Sequence, residues 1–352
     1  MGIAGHKPAS KMIEILTPIW QRVLQKQSIG VNDRFFDCGG TLRSADVLFA
    51  EIARELGREL PSSTLYYAPT IAALASLLEQ PTLPRFSPLV RVKTGTQDPP
   101  LLIVHGLAGT VPFFDLAQHI QTANPVYGIQ AKGVDGMEPP LDRIEDMATL
   151  YLAALKSLQP HGPYILVGYS FGGLVTLEMA HRLTESGESI ALLVLVDAYP
   201  DPRYLSRVQR LLLFAQRSKR YMFESKHRWN RALRYVAPGL ESRLGIPATN
   251  QDGVPPQEAS RFSFAQTTLQ VKEKAYVALA RYQPTFYNGK ITFLKSESDS
   301  YFPADPVAVW KNLAADFDFE IVPGGHLDML TTDSDGLAAA LTHHVKEASC
   351  NR

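Results

Sequence analysis

Cysteine is almost missing from this chain: Cys38 and Cys350 are the two among 352 residues. That number cannot build a disulfide framework and suits a reducing compartment. Charge of one sign is missing too, since 35 Lys and Arg balance 35 Asp and Glu. A balanced chain gives no global reason to expect nucleic acid or an anionic membrane as partner. No apolar run approaches the roughly 20 residues that a membrane-spanning helix needs. Residues 1–10 lack the basic start and apolar stretch of a secretory leader. The expectation is therefore a cytoplasmic protein with no membrane span. Its apolar fraction of 45% and charged fraction of 20% are those of an ordinary globular protein.

Two textures divide what is there. Residues 11–80 read as helical. Ile13, Ile15, Ile19, Trp20 and Leu24 form one apolar stripe, and Ala45, Leu48, Phe49, Ile52, Ala53 and Leu56 form a second, ended by Gly57. A third, shorter helix begins after Thr70, a natural cap, with Ile71, Leu74 and Leu77 on its apolar side. Residues 81–88 then hold Pro81, Pro84 and Pro88, which make a stiff, non-helical connector and a domain boundary.

Across residues 89–347, apolar runs alternate with helical patterns. The runs are Leu101–Val104, Val126–Ile129, Ile165–Val167, Leu192–Val196, Ile291–Leu294 and Phe319–Val322, with helices such as Met147–Leu158 and Leu174–Leu183 between them. That alternation predicts an α/β fold whose mostly parallel sheet is covered on both faces. It breaks over residues 199–282, a helix-rich insertion read as a lid over the sheet end that carries the site.

The chemistry is concentrated where an apolar run ends in Gly168-Tyr169-Ser170-Phe171-Gly172 and a small-residue helix start follows. A strand, a sharp turn bearing serine and a helix packed close behind make a nucleophile elbow, and side chains at 168 and 172 would collide with neighbouring backbone. Serine needs a base, and the base needs an orienting acid. Chain order in this architecture is serine, acid, histidine, each after a strand. His326, in Pro323-Gly324-Gly325-His326-Leu327, is the best of nine histidines: it follows the last strand, two glycines let its loop approach, and Met329 and Leu330 can anchor it. His105 also follows a strand but precedes the serine, while His161, His181, His343 and His344 read as surface or helix residues. For the acid, Asp197 at the end of one strand and Asp299 after the next are nearly even on these grounds. A plain helix cap is the bland account of Asp197. Two backbone N–H groups must face the developing oxyanion. Phe171 supplies one, and the loop His105-Gly106-Leu107-Ala108-Gly109 supplies the other through Leu107, with Ala108 the next choice.

With those residues in place, the part of the chain after Ser87 resembles the thioesterase domains of nonribosomal-peptide and polyketide synthases, serine enzymes of the α/β-hydrolase fold. The resemblance rests on His105-Gly106, on Gly168-Tyr169-Ser170-Phe171-Gly172-Gly173, on Val194-Leu195-Val196-Asp197, on Arg281-Tyr282-Gln283-Pro284, and on Gly325-His326 with Met329-Leu330. It implies that the acid is Asp197. The first block is similar to the peptidyl-carrier domains, small all-α bundles that precede such thioesterases, through Asn32-Asp33-Arg34-Phe35-Phe36-Asp37-Cys38-Gly39-Gly40, Leu60-Pro61 and Ala68-Pro69-Thr70-Ile71.

That family attaches its phosphopantetheine arm to a serine two residues after the glycine pair, and this chain has Leu42 there. Leucine offers no hydroxyl for a phosphodiester. Ser44 lies two residues on, rotated by about 200° around a helix. The expectation is a carrier fold without its own arm, acting as a docking or structural module, with Thr41 still able to cap the helix.

The resemblance thus implies release of an acyl or peptidyl group from a thioester, to water or to an internal nucleophile that closes a ring. No metal or other cofactor is called for. The substrate would arrive on the pantetheine arm of another carrier protein or synthase module, or as a small soluble thioester. The alternatives are a carboxylesterase using the same residues on oxygen esters and a non-catalytic scaffold that docks carriers. A last signal lies in the insertion, where ten Lys and Arg between Arg203 and Arg234 face a single acid, Glu224. That stretch is either a capture surface for a phosphate or an acidic carrier, or simply the solvated side of amphipathic helices.

Overall fold

A computed structural model describes residues 8–80, 86–111, 113–214, 264–298, 303, 305–330 and 333–350. The helical block comprises α1 (Pro8–Leu24), α2 (Leu42–Leu56) and α3 (Ile71–Leu78), with a 3-10 turn over Ser62–Tyr66. Leu16, Ile19 and Trp20 of α1 pack with Leu48 and Ile52 of α2 and with Ile71 and Leu74 of α3 around Phe35. The Trp20 and Phe35 rings meet edge to face at 5.1 Å. Thr41 and Ser44 form a reciprocal capping box at the start of α2, and Gly57 closes it in a left-handed conformation. Thr70 caps α3 by accepting the Ala73 N–H.

Among the described residues, seven strands form one sheet in the order β1-β3-β2-β4-β5-β6-β7. They are β1 (Leu89–Lys93), β2 (Leu101–Val104), β3 (Val126–Ile129), β4 (Tyr164–Tyr169), β5 (Ile190–Val196), β6 (Tyr287–Ser296) and β7 (Ala314–Val322). All neighbours pair in parallel except β1, which runs antiparallel to β3 at the edge. The sequence runs correspond to β2–β7, whereas β1 was not among them. Its five residues follow the proline connector, and among the described residues β1 pairs only with β3.

Alternate residues of each central strand feed opposite cores. Leu102, Val104, Leu166, Leu193 and Leu195 face one side, covered by α5 (Ile144–Leu158) and α6 (Phe171–Glu185). Leu101, Ile103, Ile165, Val167, Val194 and Val196 face the other, covered by α4 (Phe114–His119) and α9 (Ser334–Cys350). Burial on both faces accounts for the apolar runs of β2–β6, whereas edge strand β7, read as covered, leaves Phe319 and Ile321 exposed. α7 (Phe264–Arg281) lies over the first face, through Ala275 and Ala278, and α8 (Val307–Trp310) adds the buried Trp310.

The two blocks touch. Tyr66 is buried against Val90 and Val92, its ring stacks on Phe36, and its hydroxyl hydrogen-bonds the Thr110 side chain. Of the insertion read as a lid, residues 199–214 and 264–282 are described. Most of the basic stretch, from Arg217 to Arg234, lies outside the described residues, as do connector residues 81–85. Among the described residues no helix is long and apolar enough to cross a membrane.

Candidate active site

The centre of the sheet sets up the site. β4 runs buried along its whole length and ends at Ser170, whose backbone is forced to φ 54° and ψ −123° before α6 begins. A non-glycine residue there is strained by about 1–3 kcal/mol. The Ser170 N–H donates to the Val196 carbonyl at 2.8 Å, which ties the turn to the neighbouring strand. The flanking glycines are a steric requirement. A Cβ at 168 would fall 2.4 Å from the Gly173 Cα, and one at 172 would fall 2.1 Å from the His105 carbonyl oxygen. Helix α6 can therefore start hard against the end of β2 only with glycine at 172.

Two loops bring polar side chains to this turn. His326 Nε2 lies 3.1 Å from the Ser170 Oγ, and its Nδ1 lies 3.1 Å from the Asp197 Oδ2. A carboxylate only accepts, so Nδ1 carries the proton and Nε2 is left as the acceptor of the serine hydroxyl. Asp197 is 1% exposed and sits at φ 45° just past β5. Its Oδ1 accepts the Ser296 N–H at 2.9 Å, and its own N–H donates to the Leu294 carbonyl. Thus both carboxylate oxygens are held by the end of β6 and by the imidazole. Asp299, the other acid considered, lies outside the described residues.

The histidine loop is anchored from both sides. Met329 and Leu330 are buried in the 3-10 turn after it. The Tyr169 ring stacks on the imidazole at 4.8 Å and 15°, and the Tyr169 hydroxyl donates to the His326 carbonyl at 2.5 Å. Tyr169 was not singled out in the sequence, where it is the variable residue of the serine motif. Only the fold sets β4 beside a loop 157 residues further along.

The loop after β2 flanks the serine. A Cβ on Gly106 would lie 3.8 Å from that of Ser170. Among the described residues, neither the Leu107 nor the Phe171 N–H donates to a turn, loop or cap acceptor. Phe171 opens α6, where helix N–H groups have no intrahelical partner. His105 is not linked to the serine. It is 1% exposed, bonded to Gly106 and Tyr151, and burial pushes its pKa down to about 4. His161 pairs with Glu188, and His343 and His344 pair with Glu347 and Glu320.

Leu42, at the position where carrier domains attach the arm, is the first residue of α2. The neighbouring Ser44 hydroxyl accepts the Thr41 N–H at 2.7 Å and donates to the Thr41 carbonyl at 3.0 Å. Leu42 thus offers no hydroxyl, and the Ser44 hydroxyl caps the helix.

Residues 99–345 match the family model described as thioesterase domain, and residues 14–78 match the one described as phosphopantetheine attachment site. The chain is 38% identical over 201 residues to a dimodular nonribosomal peptide synthase of Bacillus subtilis (strain 168), covering 56% of this chain and 8% of that protein. It is 29% identical over 285 residues to malpibaldin synthetase of Mortierella alpina, covering 80% of this chain and 5% of that protein. It therefore spans a small part of the length of these relatives. Among solved structures, a four-domain nonribosomal peptide synthetase bound to AMP and glycine matches 97% of this chain and 26% of its own, at TM-score 0.53 and 23% identity. The NocB thioesterase domain in covalent complex with a fluorophosphonate nocardicin G analogue matches 71% of this chain and 95% of its own, at TM-score 0.51 and 22% identity. At these identities the structural likeness concerns the fold.

Proposed function

The chain belongs to the thioesterase domain family, in the carrier–thioesterase arrangement of nonribosomal peptide synthetases, and from that premise we propose that it releases an acyl or peptidyl group through an acyl-Ser170 intermediate. The observation that carries this reading is the continuous hydrogen-bonded line from Ser170 Oγ through His326 to Asp197. Ser170 Oγ attacks the thioester carbonyl, and His326 Nε2 takes its proton. The tetrahedral oxyanion receives the Leu107 and Phe171 N–H groups. As it collapses, the C–S bond breaks and His326 returns the proton to the departing thiolate. Water, or an internal amine or hydroxyl of the acyl chain, then attacks the acyl-serine with His326 again as base, and Ser170 recovers its hydroxyl.

Three parts are assigned: a carrier-like helical domain over 11–80, a connector over 81–88 and a hydrolase domain over 89–347 whose lid spans about 199–282. The substrate arrives on another carrier protein or synthase module, or as a small thioester, because the carrier domain of this chain holds no arm of its own. Leu42 and the capped Ser44 hydroxyl support that assignment. Exposure of the full chain to a phosphopantetheinyl transferase and coenzyme A is expected to leave its intact mass unchanged. A gain of one phosphopantetheinyl group would overturn this part of the reading.

Thioester preference is tested by comparing turnover of an acyl-pantetheine thioester with that of its matched oxygen ester. The thioester is expected to turn over at least about 10-fold faster in kcat/KM, a difference of about 1.4 kcal/mol in transition-state stabilisation. Equal or faster turnover of the oxygen ester would make this a carboxylesterase.

A further inference from the structure

One buried histidine takes no part in the line of proton transfer, yet it lies against the loop that flanks the serine. His105 follows β2 directly, and its Nδ1 lies 2.6 Å from the Gly106 carbonyl oxygen. A carbonyl only accepts, so Nδ1 bears the hydrogen. In a neutral ring Nε2 must then be an acceptor, and the Tyr151 hydroxyl lies 2.6 Å from it. Burial holds His105 neutral, with its pKa down to about 4, and burial also raises that of Tyr151, which keeps its proton to donate. The Gly106 carbonyl receives a second hydrogen bond from the Gly109 N–H at 3.1 Å, which closes the turn.

The Gly106 carbonyl and the Leu107 N–H are opposite ends of one peptide unit. Such a unit is planar and trans, so fixing the direction of its C=O fixes that of its N–H. A hydrogen bond to the carbonyl also polarises the unit and strengthens the N–H as a donor. We propose that His105 is a positioning residue: its Nδ1–H, held in that tautomer by Tyr151, locks the 106–107 peptide plane and so aims the Leu107 N–H at the oxyanion beside Ser170. The inference rests on the functional reading above and names the side chains that preorganise one of its two donors. Preorganised donors stabilise the transition state because they need not reorient as charge develops.

The test uses the full chain and a fluorophosphonate with a plain alkyl chain, so it needs no knowledge of the natural acyl group. In that reaction the Ser170 Oγ–P bond forms, the P–F bond breaks, fluoride leaves, and the serine proton passes to His326. His105→Phe keeps a ring in place, including the stacking on Phe171, and deletes the donor. His105→Asn puts an amide N–H where Nδ1 stands. Removing an oxyanion donor outright lowers rates about 100- to 1,000-fold, so misaiming one in His105→Phe is expected to slow phosphonylation by at least ~30-fold. The kcat for an acyl-pantetheine thioester should fall in parallel while KM stays within about threefold, because a ground-state carbonyl uses the donor far less than the oxyanion does. His105→Asn should recover most of the rate, which a merely space-filling role would not produce. Histidine 15N spectra of the wild-type protein should show His105 protonated at Nδ1 and bare at Nε2. That measurement stands even where His105→Phe fails to fold. Labelling of His105→Phe at the wild-type rate, an Asn variant no better than the Phe variant, or an Nε2-protonated ring would each overturn the proposal. Wild-type protein that does not label at Ser170 sinks the functional reading and this inference together.

Discussion

Replacing Ser170 with alanine is expected to lower thioester turnover by about a million-fold, the loss typical when such a nucleophile is removed. The change deletes the one atom that bonds to the acyl group. It leaves the peptide N–H groups at Leu107 and Phe171 where they were, so KM should move little. A residual rate above that of water, about 1,000-fold, is expected from those donors and from binding alone. The fold should persist. The Ser170 backbone is tied to Val196, and alanine tolerates φ 54° no better and no worse than serine. Two measurements check the outcome. Steady-state kinetics give the loss in kcat, and intact mass of a briefly reacted sample should show an acyl adduct on wild type and none on Ser170→Ala. Unchanged turnover in the variant would sink the enzymatic reading and leave a carrier-docking scaffold in its place.

The second large effect is expected from Asp197→Asn, at about 10,000-fold in kcat. The two ends of this side chain are not equivalent. Oδ1 accepts the Ser296 N–H, which can only donate, so the asparagine oxygen must stay on that side. Its NH2 then faces His326 Nδ1, where the carboxylate had accepted. The imidazole answers by moving its proton to Nε2, and in that tautomer it cannot take the serine proton. The loss thus comes from a wrong tautomer rather than from displaced atoms. It should appear in kcat with little change in melting temperature, and 15N spectra should show His326 protonated at Nε2. A larger loss in Asp299→Asn than in Asp197→Asn would move the acid to the next strand.

Much of this arrangement is local and was legible early. The capping residues Thr41 and Thr70, the stop at Gly57 and the tight approach required of Gly168 each depend on a few consecutive residues. The buried strands were legible for a similar reason: parallel strands covered on both faces keep an unbroken apolar signature. The serine motif and the histidine after the last strand follow from the order in which such a sheet presents its ends. The lack of a hydroxyl at Leu42 is likewise a fact of the chain that no folding alters.

Other features belong to no single segment. Edge strand β1 is five residues long and pairs with β3. The stacking of Tyr169 on His326 joins residues 157 apart, and the bond between His105 and Tyr151 joins residues 46 apart. Nothing in the composition of either partner announces the pairing. The two acids show the division most plainly. Strand order alone put an aspartate after each of two neighbouring strands and left them nearly even, because each strand end opens on the same rim, and only the family resemblance favoured Asp197. Hydrogen bonding is set by distance and direction in space, so it was the packing of β5 against β6 that brought the Asp197 carboxylate to the imidazole and gave its other oxygen to Ser296.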